Sequence, residues 1–145
     1  MREFWTDGSA VPNPGRGGCA VIENGKPAAL GGEDETTNIR MEGLAILVAL
    51  RMADGEPCKI HADSEFWINV LTKWAKGWEA RGWKKSSKGE IQNLDLVKEV
   101  FGAYKGSKAE FVWVRGHNGD KNNELADEWA NKAREGAKLK KGGLI

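Results

Sequence analysis

The sequence predicts an α/β fold in which a five-stranded mixed sheet is flanked by helices, and three observations lead there. Three β-rich segments open the chain, with a hairpin signal between the second and third. A dense apolar helix follows from Asn38, and strands then alternate with amphipathic helices as far as residue 135.

Residues 2–7 alternate in character and end in Gly8-Ser9, so they read as a strand. The stretch to Gly18 holds Pro12, Pro14 and several glycines and reads as a loop. Residues 18–23 form a short β-rich run, Asn24-Gly25 is a strong hairpin turn, and residues 28–32 return as the partner strand. The first helix should run from Asn38 to about Ala53, stopped by Gly55 and Pro57. Residues 58–63 read as a fourth strand, after which Ser64 caps a helix carrying Phe66, Trp67, Val70, Leu71 and Trp74. Residues 77–89 are expected to be irregular and basic. Asn93 is the expected cap of a helix with the apolar face Leu94, Val97, Val100, Phe101 and Tyr104. Residues 109–114 give the fifth strand, residues 116–119 a loop, and residues 123–135 a last helix packing Leu125, Ala126, Trp129, Ala130 and Ala133. The expectation is one domain over residues 1–137, with residues 138–145 as a basic, frayed tail.

With 145 residues, 40% hydrophobic and 30% charged, the chain suits one globular domain and excludes a disordered tail. A chain this long buries about 70% of the surface it exposes unfolded, so its core needs neither disulfides nor a structural metal. Cys19 and Cys58 have no zinc-site spacing, and the longest apolar run, residues 44–50, is far short of a membrane span. Two thiols without an apolar N-terminal signal region point to the cytoplasm. The balanced net charge hides an asymmetry. Residues 73–88 carry Lys73, Lys76, Arg81, Lys84, Lys85 and Lys88 against Glu79 alone, while Glu33, Asp34, Glu35 and Glu42 face only Arg40. That suits a protein holding a polyanion near bound cations, although either run on its own also reads as a solvated face.

Four carboxylates fall at the ends of predicted elements: Asp7 ending the first strand, Glu42 in the first turns of the first helix, Asp63 ending the fourth strand and Asp127 on the last helix. Singly, each also suits a turn, a cap or the surface. Their context is more specific. Thr6-Asp7-Gly8-Ser9, Asn13-Pro14-Gly15, Thr37-Asn38-Ile39-Arg40-Met41-Glu42, Ala62-Asp63-Ser64, then Gly116-His117 and Asn123-Glu124-Leu125-Ala126-Asp127 occur in one order. Together they resemble the type 1 ribonuclease H family from about Phe4 to Ala133.

That resemblance implies an endoribonuclease that hydrolyses the RNA strand of RNA/DNA hybrids by a two-metal mechanism, leaving 5′-phosphate and 3′-hydroxyl ends. It implies Mg2+ held by Asp7, Glu42, Asp63 and Asp127, with Mn2+ as a substitute and Asp7 as the bridging ligand. The chemistry is coherent. Phosphodiester hydrolysis needs an activated water and a neutralised leaving oxygen, and two hard cations about 4 Å apart serve both using oxygen ligands alone. His117 matches a mobile histidine that assists proton transfer or product departure, whereas His61 alternates within a strand and reads as structural. Asn13, Thr37, Asn38 and Arg40 match substrate-facing positions, with a partnership between Arg40 and Glu33 or Glu35 left open. Trp74, Lys76, Arg81, Lys84 and Lys85 match a basic protrusion along the DNA strand. For Trp67 and Trp78 a buried helical stripe is the preferred reading. Glu79-Ala80 and Glu65 depart from the bacterial pattern, which puts affinity in doubt but not the metal chemistry. A monomer acting on a hybrid duplex is the expectation. A different nuclease on the same fold and a non-cutting hybrid-binding module are the alternatives.

Overall fold

In the computed structural model, residues 1–85, 89–115 and 119–136 are described. Five strands form one sheet in the order β3-β2-β1-β4-β5: β1 Arg2–Ala10, β2 Gly15–Glu23, β3 Lys26–Thr36, β4 Pro57–Ala62 and β5 Lys108–Trp113. β1, β2 and β3 are antiparallel neighbours, whereas β4 runs parallel to both β1 and β5. The β2–β3 hairpin turns through Asn24 (φ 55°) and Gly25 (φ 72°), the pair of positive φ angles that a two-residue turn needs to match strand twist. β3 outruns its expected span of residues 28–32. It is an edge strand, so its solvent side accepts Glu33, Asp34 and Glu35 without an apolar alternation to announce them.

The helix α1, Asn38–Ala53, has the predicted bounds; the Thr37 hydroxyl caps it by accepting the Arg40 N–H, and Asp54 ends it in the left-handed region. It is buried on several sides because the sheet lies beneath it and other helices lie beside it. Two glycines set its height. A side chain at Gly8 of β1 would strike the α1 main chain at Met41 and Glu42, and one at Gly43 would strike the Trp67 indole. The Trp67 Nε1–H donates to the Ile39 carbonyl at 2.7 Å, locking this contact.

Ser64 caps the helix α2, Glu65–Asn69, as expected. A π-helical turn over Val70–Trp74 and a further helix α3, Ala75–Ala80, then occupy chain that was expected to be helix and irregular loop respectively. The wider turn changes the helical phase, so the Trp stripe divides: Trp67 is buried, Trp78 partly so, and Trp74 is exposed. Glu79 holds α3 against the helix α4, Leu94–Lys105, by accepting from Lys105 Nζ on both oxygens at 2.9 Å.

Two expectations about α4 fail. Asn93 lies in the left-handed region and makes no side-chain cap; its Oδ1 accepts from Arg40 instead. Leu96 rather than Leu94 joins the buried face. The last helix, α5 Lys121–Gly136, starts two residues early because Asp120 supplies the cap, accepting the Asn123 N–H at 3.0 Å. It lies on the sheet face opposite α1, its buried residues Ala126, Ala130 and Ala133 being small enough for close approach, and a Cβ at Gly18 of β2 would come within 2.5 Å of the Arg134 N. The tail at residues 138–145 lies outside the described residues. No helix among the described residues is long and apolar enough to cross a membrane.

Candidate active site

Asp7 is on the α5 side of β1, because side chains alternate along a strand and its neighbour Gly8 faces α1. The parallel register pairs Thr6 with Ala62, which sets Asp7 level with Asp63 just beyond β4. From α5, Asp127 brings its carboxyl against that of Asp7. Asp7 is only 7% exposed. Burial first, then the charge of Asp63 and the contact with Asp127, push its carboxyl far above the usual carboxylate range, against a smaller opposing pull from the Gly8 N–H. Glu42 projects from the first turns of α1 to Ser64. Its carboxyl is pushed up to about 7, mainly by burial and also by Asp63, while the Ser64 hydroxyl pulls the other way.

The four acids predicted from sequence are therefore neighbours in this chain, linked through Asp7 and Asp63. They lie near enough to feel one another's charge, yet among the described residues no group of three or more His, Cys, Asp or Glu side chains is assembled to hold a metal ion as it stands. Their chemistry fits hard cations nonetheless. Every donor is a carboxylate oxygen, like charges are crowded in a half-dry site, and Mg2+ retains waters that supplement a small protein donor set.

A line of side chains behind Asp127 was not anticipated. Arg134, whose side chain is 13% exposed, donates to Ser9 Oγ at 2.6 Å and to Asn131 Oδ1 at 2.7 Å, and Asn131 Nδ2 reaches Asp127 Oδ2 at 3.5 Å. The spacing of 127, 131 and 134 along one helix face was the available signal.

The expected substrate residues fall into two groups. Asn13 Oδ1 accepts the Asn38 N–H at 3.1 Å and Asn38 Oδ1 accepts the Ala10 N–H at 2.6 Å, so both amides tie the β1–β2 loop to the start of α1. With Thr37, Asn13 lines a cleft of about 500 Å³ completed by Ile39, Glu90, Ile91, Gln92 and Asn93. Arg40 pairs with Asp95 through two bonds of 3.1 and 2.9 Å, so its ion pair is with Asp95, and Glu33 adds only a smaller charge interaction. That pairing was hidden because the two residues are 55 positions apart.

Trp74, Lys76, Arg81 and Lys84 are exposed and Lys85 is partly so, along the π-helical turn, α3 and the chain after it. His117 lies outside the described residues. His61 is structural as expected, stacked on Trp5 at 4.1 Å between ring centroids with its Nε2 2.9 Å from Glu3 Oε2.

A mixed sheet of this order, with Asp7 within β1, Asp63 just after β4 and one acid each from α1 and α5, is the ribonuclease H-like fold. The family model for RNase H matches residues 2–135. Ribonuclease H of Gluconobacter oxydans is 41% identical over 92% of this chain and 91% of its own length, and that of Acidiphilium cryptum is 44% identical over 92% and 86%. Among solved structures, LC9-RNase H1, a type 1 RNase H with the type 2 active-site motif, superposes with a TM-score of 0.81 at 29% identity, covering 99% of this chain and 76% of that one. The chain belongs to the ribonuclease H family.

Proposed function

We propose that this chain is an endonuclease that hydrolyses the RNA strand of an RNA/DNA hybrid with two divalent cations, Mg2+ by preference, leaving 5′-phosphate and 3′-hydroxyl ends. The observation that carries this reading is the meeting of Asp7 with Asp63 and Asp127 from three separate elements in a member of this family. Asp7, Glu42, Asp63 and Asp127 would hold the metal. When bound, the cations supply an activated water and neutralise charge on the leaving oxygen.

The chain's own residues supply placement and charge. Burial of Asp7 excludes bulk water from its carboxylate, and Ser64 orients Glu42. Arg134 and Asn131 hold Asp127 toward Asp7. His117 takes the role of moving a proton or the product. Asn13, Thr37 and Asn38 meet the minor groove, where the 2′-hydroxyl distinguishes the RNA strand. Trp74, Lys76, Arg81, Lys84 and Lys85 lie along the DNA strand. Arg40 contributes by bracing α1 against Asp95. The catalytic domain spans residues 1–137 and acts as a cytoplasmic monomer, a setting that its two free buried thiols suit.

The test is a hybrid labelled separately on each strand and incubated with and without Mg2+. Metal-dependent cutting of RNA alone is the expected result. Cutting of the DNA strand would replace the reading with a related nuclease, and binding without cutting would replace it with a binding module.

A further inference from the structure

Beyond the four acids, one exposed aromatic stands against the site. Trp113, the last residue of β5, pairs with Ala62, and the ladder continues one step as the Val114 N–H donates to the Ala62 carbonyl at 2.9 Å. This places the Trp113 indole beside Asp63, whose carbonyl accepts the Nε1–H at 3.3 Å. The residue is nevertheless 45% exposed. The Arg115 guanidinium lies 5.4 Å from its ring centroid. Among the described residues Arg115 pairs with no carboxylate, whereas Arg2, Arg40, Arg51 and Arg134 each do.

An exposed indole carrying an uncompensated cation leaves apolar surface and positive charge side by side in water. A polyanion with sugar faces matches both. The guanidinium offers a planar fork to phosphate oxygens and the indole packs on a sugar. The location adds a second reason. A phosphodiester approaching Asp7, Glu42 and Asp63 meets negative charge, and a cation over the indole that borders Asp63 offsets part of that repulsion.

We propose that Trp113 and Arg115 form a backbone-binding plate in which Arg115 takes a phosphate flanking the scissile one and the indole holds the guanidinium flat. The plate sits on the β5 edge, apart in the fold from the basic chain of residues 76–85, and so grips the duplex at a second place. The proposal rests on the nuclease reading above and adds to it a contact on the cleaved strand.

The experiment uses the full chain and a fluorescent RNA/DNA hybrid. Arg115→Ala should raise KM about tenfold at low salt with a much smaller change in kcat. It should also reduce the slope of log affinity against log salt by about one. Arg115→Lys should recover the salt slope but only part of the affinity, since lysine keeps the charge and loses the fork. Trp113→Phe should loosen binding in the wild-type background and change little once Arg115 is alanine. A single neutral methylphosphonate walked along the RNA strand locates the contact: at one linkage near the cut, wild type should lose affinity and Arg115→Ala should lose none.

Equal KM and equal salt slope for wild type and Arg115→Ala, or identical responses of both at every linkage, overturns the plate while the nuclease reading stands. A wild-type chain that cuts no hybrid overturns the nuclease reading, and the plate with it. Arg115 lies beyond the last strand, so its variants carry the test even if those of Trp113 fail to fold.

Discussion

Replacing Gly8 by alanine should damage the site through the height of α1 rather than through any chemical group. A Cβ at Gly8 would strike the main chain at Met41 and Glu42, far inside the 3.4–4 Å of ordinary contact, so α1 must retreat by about 1 Å there. The obstacle is backbone and cannot swing aside. Overpacking of this kind costs about 1–3 kcal/mol, set against roughly 0.5–1 kcal/mol that alanine regains over glycine in a strand. The net destabilisation of about 1–2 kcal/mol should lower Tm by roughly 3–8 °C. Activity should suffer more, because Glu42 is displaced with the helix while Asp7 stays on the strand, and misplacement near 1 Å costs about a hundredfold. Gly102→Ala is the control. Open space surrounds Gly102 within α4, so that variant should gain about 0.5–1 kcal/mol and cut normally. The assay is a thermal melt together with single-turnover cleavage of a labelled hybrid. Wild-type melting and cleavage in Gly8→Ala would refute the reasoning.

Other predictions follow from the same geometry. Without metal, stability should fall as pH rises from 5 to 8, because Glu42 titrates near 4.5 unfolded and about 7 folded; the folded chain then binds more protons across that window, and Asp7 shifts in the same direction. Glu42→Gln in EDTA at pH 8 should therefore be more stable than wild type, by up to about 3 kcal/mol, and a chemical melt reads this directly. Millimolar Mg2+ should raise the wild-type Tm at pH 8 and leave Asp7→Asn nearly unmoved; equal responses would argue against metal at these acids. Arg134→Ala should lower kcat about tenfold and weaken Mn2+ affinity measured by calorimetry, since Asn131 and Asp127 lose their anchor. Hybrid affinity should fall steeply between low and physiological salt, and a flat profile would remove the basic chain of residues 76–85 from binding.

Periodicity was a sound guide wherever packing followed it. The helix α1 reads directly because apolar residues crowd its whole length, and the Asn24-Gly25 hairpin because only certain residues tolerate its backbone angles. It failed where tertiary contacts made the decision. The π-helical turn leaves no mark in residue types, so helical spacing alone put Trp67 and Trp74 on one face, whereas Trp67 is buried and Trp74 exposed. Asn93 looked like a cap but serves Arg40, a partner far along the chain. At the site, the words around Asp7, Glu42, Asp63 and Asp127 single these acids out, and in the fold the charge of Asp63 reaches both Asp7 and Glu42. The supports are harder to read: the spacing of 127, 131 and 134 marks one helix face, but the contacts of Arg134 with Ser9 and of Ser64 with Glu42 arise only when separate elements pack.

The most direct test of the central claim is the position of Mn2+ located by anomalous scattering in crystals of the full chain soaked at pH 8. The account predicts a peak within bonding distance of carboxylate oxygens of Asp7 and at least one of Asp63, Glu42 and Asp127, absent in Asp7→Asn crystals. Mn2+ bound elsewhere, with these acids uncoordinated in protein that still cuts the hybrid, would contradict it.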